Sequence, residues 1–340
     1  MRVSKVFQVL MASGLFLAGC GQLPAAVVQT GVAGAAGAVT ESGGEVAALA
    51  ESSGDRQVAA LSTPTPISAR QAVVARDLAY GAHGQQKLDV YGSRVTSMRR
   101  PVVVYVHGGG WRMGDKAHQM VDKPAYFNAQ GYVFVSINYR LADPSLPVGK
   151  RPMHPDQVRD VASSLAWVRA NISRYGGDPS SMALIGHSAG AHLAALVASN
   201  PRFLNELRFP FSSLKGVIAN DTASYDLTTP QGGNNPALIT NAFGTDRLVL
   251  RDASPLLQVK SGQGMPPALV LVQGGPERVA EARSFFTATS KADPLVAGDT
   301  FREVRLPGYD HNEMNAAVGR PGEQVVTPLI ETFLKRRFGL

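Results

Sequence analysis

Residues 182–198 read MALIGHSAGAHLAALVA, and no other stretch narrows so far what the chain can become. An apolar run of strand length, Met182–Ile185, meets Gly186-His187-Ser188-Ala189-Gly190 and then the Ala/Leu-rich run Ala189–Ser199. A strand passing into a helix over so few residues needs a sharp turn, and the flanking glycines let the two backbones approach. Ser188 is thereby held up at a helix N-terminus, where backbone N–H groups favour developing negative charge. Strand, turn and helix are the context that a G-x-S-x-G serine requires, so Ser188 is the candidate nucleophile.

The rest of the chain supports such a turn with alternating patterns. Further strands are predicted at Val73–Leu78, Gln86–Tyr91, Val102–Val106, Tyr132–Asn138, Gly216–Ala219, Ala268–Val272 and Phe301–Leu306. Helical stretches are predicted at Lys116–Ala129, Pro155–Ser173, Glu277–Lys291 and Glu323–Arg337, besides the one after Ser188. Within the second, Val158, Val161, Leu165 and Val168 recur at helical spacing. The alternation predicts the α/β class: one domain over residues 68–340, a mostly parallel doubly wound sheet of about eight strands flanked by helices. The stretch 222–267, containing PQGGNNPAL, interrupts it and reads as a lid, a pocket wall or a plain surface excursion.

The N-terminus is of another kind. Arg2 and Lys5 precede an apolar run, Val6 to Ala18, of signal-peptide length and too short to span a bilayer. Leu17-Ala18-Gly19-Cys20 resembles a bacterial lipobox, which implies a signal peptide over 1–19, cleavage before Cys20 and a lipid on that cysteine. The alternative is an ordinary secretory signal with an unpaired cysteine nearby. Gly21 after the cysteine, by resemblance to Gram-negative lipoproteins, implies an outer-membrane location facing the periplasm. Residues 20–67 are rich in small residues, Gly and Ser and read as a flexible tether. Cys20 is the one cysteine, which excludes a disulfide framework and any multi-cysteine metal site. The chain has 33 Lys+Arg against 26 Asp+Glu, but scattered and without an aromatic-interleaved basic stripe, so no nucleic-acid partner is expected.

Chemistry gathers around three further segments. Val102–Val106 feeds His107-Gly108-Gly109-Gly110-Trp111, a loop of the HGGG type whose N–H groups serve as oxyanion donors. Gly109 and Gly110, with Ala189, are the expected donors, and His107 reads as a pin for the loop. A serine also needs a base and an orienting acid, in the chain order Ser, acid, His. His311, in the loop Leu306–Asn312, is the one histidine well after Ser188 and is the expected base. For the acid, Glu277, one loop beyond the strand Ala268–Val272, is preferred. Asp221, just after Gly216–Ala219, is its rival, and Asp310 sits too close to His311 in sequence to reach the ring well. Trp111 and Tyr309 are candidate pocket residues, with ordinary core packing as the alternative.

HGGGWRMGDK, Tyr139-Arg140-Leu141 and YGGDPSSMALIGHSAGAHLAAL together resemble the α/β-hydrolase esterase/lipase family, in its hormone-sensitive-lipase-like, kynurenine-formamidase-like and feruloyl-esterase-like branch. The resemblance implies a serine hydrolase cleaving carboxylic esters through an acyl-enzyme, with a small-molecule ester as partner and no cofactor or metal; the membrane partner is implied separately, by the lipobox-like sequence and its lipid. Arylformamide hydrolysis and acyl transfer use the same scaffold, and a non-catalytic envelope lipoprotein using the fold for binding is the rival from another class. Such relatives commonly carry Asp in G-x-x-D; here Gly274-Gly275-Pro276-Glu277 supplies Glu.

Overall fold

A computed structural model describes residues 73–92, 99–229, 235–292, 300–304 and 308–340. The signal peptide, Cys20 and the tether expected over 1–67 lie outside the described residues, as do residues 305–307 at the end of the last predicted strand.

Eight strands form one sheet: β1 (Val73–Ala79), β2 (Lys87–Tyr91), β3 (Arg100–Val106), β4 (Val133–Ile137), β5 (Gly177–His187), β6 (Leu214–Asn220), β7 (Ala268–Val272) and β8 (Thr300–Glu303). Their spatial order is β1-β2-β4-β3-β5-β6-β7-β8. The two pairings made by β2 are antiparallel, and every pairing from β4 across to β8 is parallel. This is the α/β architecture expected from the alternation, with the loop after β3 and the turn after β5 on adjacent central strands.

The period of two along β3 separates the cores. Val102, Val104 and Val106 pack on one face of the sheet with α2 (Asp156–Asn171) and α3 (Ala189–Ser199). Val103 and Tyr105 pack on the other with Phe127 of α1 (Lys123–Ala129). The predicted stripe Val158, Val161, Leu165 and Val168 is fully buried. Each such side chain contributes roughly 1.5–3 kcal/mol of burial, so the stripe rather than intrinsic propensity holds α2 in place.

After the one-turn α4 (Arg202–Asn205), the irregular stretch resolves into α5 (Pro236–Phe243), α6 (Arg247–Asp252) and α7 (Pro255–Gln258). Then α8 (Pro276–Ala292) joins the α2/α3 face through Val279, Ala282 and Phe285, and α9 (Glu313–Ala316) and α10 (Val326–Phe338) follow. The last helix starts three residues later than predicted because Glu323 caps it from outside. Its carboxylate accepts from Val325, Val326 and Thr327 N–H at 2.7, 2.9 and 2.6 Å.

Candidate active site

Ser188 occupies φ 55°, ψ −121°, a conformation that a non-glycine residue holds only under strain of about 1–3 kcal/mol. The strain is sustained from both sides. Ser188 N–H donates to Asn220 O of β6 at 3.0 Å, and His192 N–H returns to Ser188 O at 3.0 Å as α3 begins. A Cβ on Gly186 would strike the Gly190 carbonyl, and one on Gly190 would strike Val106 O of β3. Both glycines are therefore dictated by backbone approach.

Three elements converge on that serine. His311, between β8 and α9, has Nε2 2.8 Å from Ser188 Oγ and Nδ1 2.6 Å from Asp221 Oδ2. A carboxylate only accepts, so Nδ1 carries the proton and Nε2 is left to accept from the hydroxyl. Asp221, in the turn after β6, is completely buried. Gln273 N–H, Arg278 Nη2 and Gln273 Nε2 complete its shell at 3.0, 2.9 and 3.2 Å. Burial pushes the Asp221 carboxyl up, but the His311 bond and the Arg278 charge outweigh it and hold the group below its ordinary value.

Glu277 is not brought to His311. It is exposed in the first turn of α8, where an acid complements the helix dipole. The acid beside His311 is Asp221, and the preference for Glu277 is corrected. Two signals were available: Pro276 opens the helix, which commits residue 277 to its first turn, and Asn220-Asp221 ends a strand with a residue type that tolerates positive φ, observed at 58° for Asp221. The roles of Gln273 and Arg278 had no spacing signal, because each arrives from a separate element.

The glycine loop stands over the same place. Gly109 and Gly110 have φ of 115° and 59°, open to glycine at little cost, and Gly109 O accepts from Arg112 and Met113 N–H at 3.2 and 3.1 Å. His107 pins the loop: its Nδ1 lies 2.7 Å from Gly108 O, and its ring stacks on Tyr139 at 4.5 Å. Burial pushes His107 down to about 4, so it stays neutral. His187 donates from Nε2 to His311 O at 2.8 Å, tying the His311 loop to the elbow, and burial with His311 beside it lowers it to about 3.

Gly109, Gly110, Ala189, Ser188 and His311 line one cleft of about 760 Å³, with Leu238 and Ile239 of α5 as apolar lining and Gln273, Arg278 and Asn312 as polar lining. The irregular stretch is thus a pocket wall. Trp111 reaches the cleft but is 4% exposed, its Nε1–H donating to His192 Nδ1 at 3.2 Å and its ring set edge-on to Phe243. Tyr309 is corrected: its hydroxyl donates to Glu323 at 2.6 Å, and it packs against the α10 core rather than the cleft.

His187, Asp221 and His311 also place three metal-type donor atoms within 4.8 Å of one another. The His311 and Asp221 donors are 2.6 Å apart, whereas two ligands of one tetrahedral ion would sit about 3.3 Å apart. The spacing is that of a hydrogen bond.

A serine on a strained strand–helix turn, hydrogen-bonded through histidine to a buried aspartate on this sheet order, defines an α/β hydrolase. The chain belongs to the BD-FAE family, whose profile matches residues 88–275, more than half of its length. It is similar to esterase LipC of Mycobacterium tuberculosis, 32% identical over 257 residues covering 71% of this chain and 60% of LipC. Esterase LipQ of the same organism is 34% identical over 283 residues, covering 79% and 64%. The chain thus spans less than two thirds of these relatives. Among solved structures, a truncated carbohydrate esterase from gut microbiota superposes with TM-score 0.63 at 17% identity, covering 80% of this chain and 99% of that one. Thermogutta terrifontis esterase 2 does so at 0.55 and 22% identity, covering 80% and 94%. These last two likenesses concern the fold.

Proposed function

We propose that the chain is a serine hydrolase of carboxylic esters working through an acyl-enzyme. The observation that carries this reading is the unbroken hydrogen-bond chain from Asp221 through His311 to Ser188 at 2.6 and 2.8 Å. Ser188 Oγ attacks the ester carbonyl while its proton passes to His311 Nε2, and Asp221 stabilises the imidazolium that forms. The oxyanion of the tetrahedral intermediate is held by N–H groups of Gly109, Gly110 and Ala189, each donor worth about 3–4 kcal/mol in the transition state. Its collapse expels the alcohol, which takes the proton from His311. Water then gives its proton to His311 and attacks the acyl-serine, releasing the acid and restoring Ser188. The esterase names of the Mycobacterium tuberculosis relatives support the same reading. The test is turnover of p-nitrophenyl acetate by wild type and Ser188→Ala. Loss in the variant is expected; equal turnover would refute the assignment.

We further propose that Cys20 carries lipid and holds the enzyme at a bacterial membrane, on the outer membrane facing the periplasm. The lipobox-like LAGC sequence supports the lipid and Gly21 after it the outer-membrane location, and two or more acyl chains suffice for stable anchoring. Cys20→Ser should move activity from the membrane fraction to the soluble fraction or leave an unprocessed chain; unchanged fractionation overturns the anchor.

A further inference from the structure

Asp221 holds more partners than the orientation of an imidazole requires. The Arg278 guanidinium meets Oδ1 through Nη2 at 2.9 Å, and its Nε donates to Gln273 O at 3.0 Å, so the cation is fixed at two points. The Asp221 side chain is 0% exposed and that of Arg278 17%, so little water screens the pair. Arg278 is in the first turn of α8, one residue beyond the exposed Glu277.

We propose that Arg278 is a positioning residue of the active site, a cationic clamp that holds the Asp221 carboxylate aimed at His311 Nδ1. The proposal rests on the hydrolase reading above. Two oxygens held by four bonds leave the carboxylate little freedom to turn away from the ring. Asp221 and His311 form a hydrogen-bonded pair, and a fixed positive charge beside the pair opposes adding a proton to it. Removing that charge therefore raises the proton affinity of the pair wherever the proton sits.

The other charged or titratable groups around the pair do not replace Arg278. His187, at the end of β5, is held neutral by burial. Lys123 of α1 donates to Gln119 O and Asn315 O, away from Asp221. Glu281 on α8 accepts from Tyr225 and Asp226 N–H, and Asp226 accepts from Thr228. Asp310 caps α9 through Asn312 and Glu313 N–H. The clamp also gives the relocated acid a rationale: α8 presents its cation, not its acid, to the end of β6.

The test is kcat and KM for p-nitrophenyl acetate from pH 5 to 9, on the full chain, for wild type, Arg278→Met and Arg278→Lys. A melting curve for each variant keeps the comparison on folded protein, and Arg278→Gln replaces Arg278→Met if Met is not tolerated. Arg278→Met should lower kcat at pH 7 by roughly tenfold to a hundredfold, with KM within about twofold. Its acid limb should move to higher pH, and Arg278→Lys should bring the limb back toward wild type. A Met variant (or the Gln variant in its place) whose acid limb and kcat match wild type overturns the clamp, and so does a loss confined to KM, which would mark a substrate contact. If wild type itself turns over no ester and Ser188 takes no fluorophosphonate, the hydrolase reading falls and the clamp with it; an active wild type with an indifferent Arg278→Met removes the clamp alone.

Discussion

At the residue scale the site turns on which carboxylate faces His311. Asp221 is buried with all four bonds aimed inward, whereas Glu277 is exposed on the first turn of α8. Asp221→Asn should therefore cost about 10⁴-fold in kcat, because an amide favours the wrong imidazole tautomer. Glu277→Gln should stay within about twofold, losing at most a weak dipole contact. Parallel kcat measurements decide it, and the opposite ranking would return the acid to Glu277. Ser188 and His311 were legible because a strained turn and chain order leave few choices. The acid was missed because a carboxylate follows each of two strands, and the weight given to chain position overrode the Pro276 signal that commits Glu277 to the first turn of α8.

At the element scale, what could be read was what periodicity encodes. The apolar runs of β3 and β7 and the stripe on α2 state their own burial. The boundaries depended on partners far away in sequence. Strand β5 begins at Gly177, well before its apolar run, because Gly177 pairs with Arg100. Helix α1 begins only at Lys123, with Pro124 at its start, after a loop whose Met113, His118 and Gln119 line the cleft. Glu323 illustrates the energetics: it sits outside α10 yet satisfies the N–H groups of Val325 at the N-cap and of Val326 and Thr327 in the first turn. Glu323→Ala should destabilise by about 1–2 kcal/mol, read as a lower urea midpoint at unchanged slope. Gly190→Ala should do worse, since its Cβ meets β3 backbone rather than a movable side chain. Soluble yield and melting of that variant check it; a wild-type melting curve would contradict the close approach.

At the scale of the whole molecule, buried histidines couple the fold to pH. Burial first, with other contacts, sets His107 at about 4 and His187 and His192 at about 3, against an ordinary value of 6.5. Below pH 6.5 the unfolded chain takes up these protons before the native one, so stability falls as pH drops toward 4. Each proton contributes up to about 1.4 kcal/mol per pH unit. Glu281, which burial raises to about 7, acts in the opposite direction between about 7 and 4.5, one proton against three. The melting temperature should therefore decline from pH 6.5 to 4, and a flat profile by circular dichroism would contradict neutral burial of these rings. His192 shows why such a cost is carried: its ring joins Trp111 of the glycine loop to Ala253 O, so glycine loop, elbow helix and pocket wall are held as one unit.

The central claim, that this unit makes Ser188 a nucleophile, is tested most directly by a fluorophosphonate probe and mapping of the adduct. One adduct on the peptide carrying Ser188 is predicted, slowed severely in His311→Ala and formed at the wild-type rate in Glu277→Gln. Equal labelling of wild type and Ser188→Ala, or no label on a preparation that still turns over ester, would contradict it.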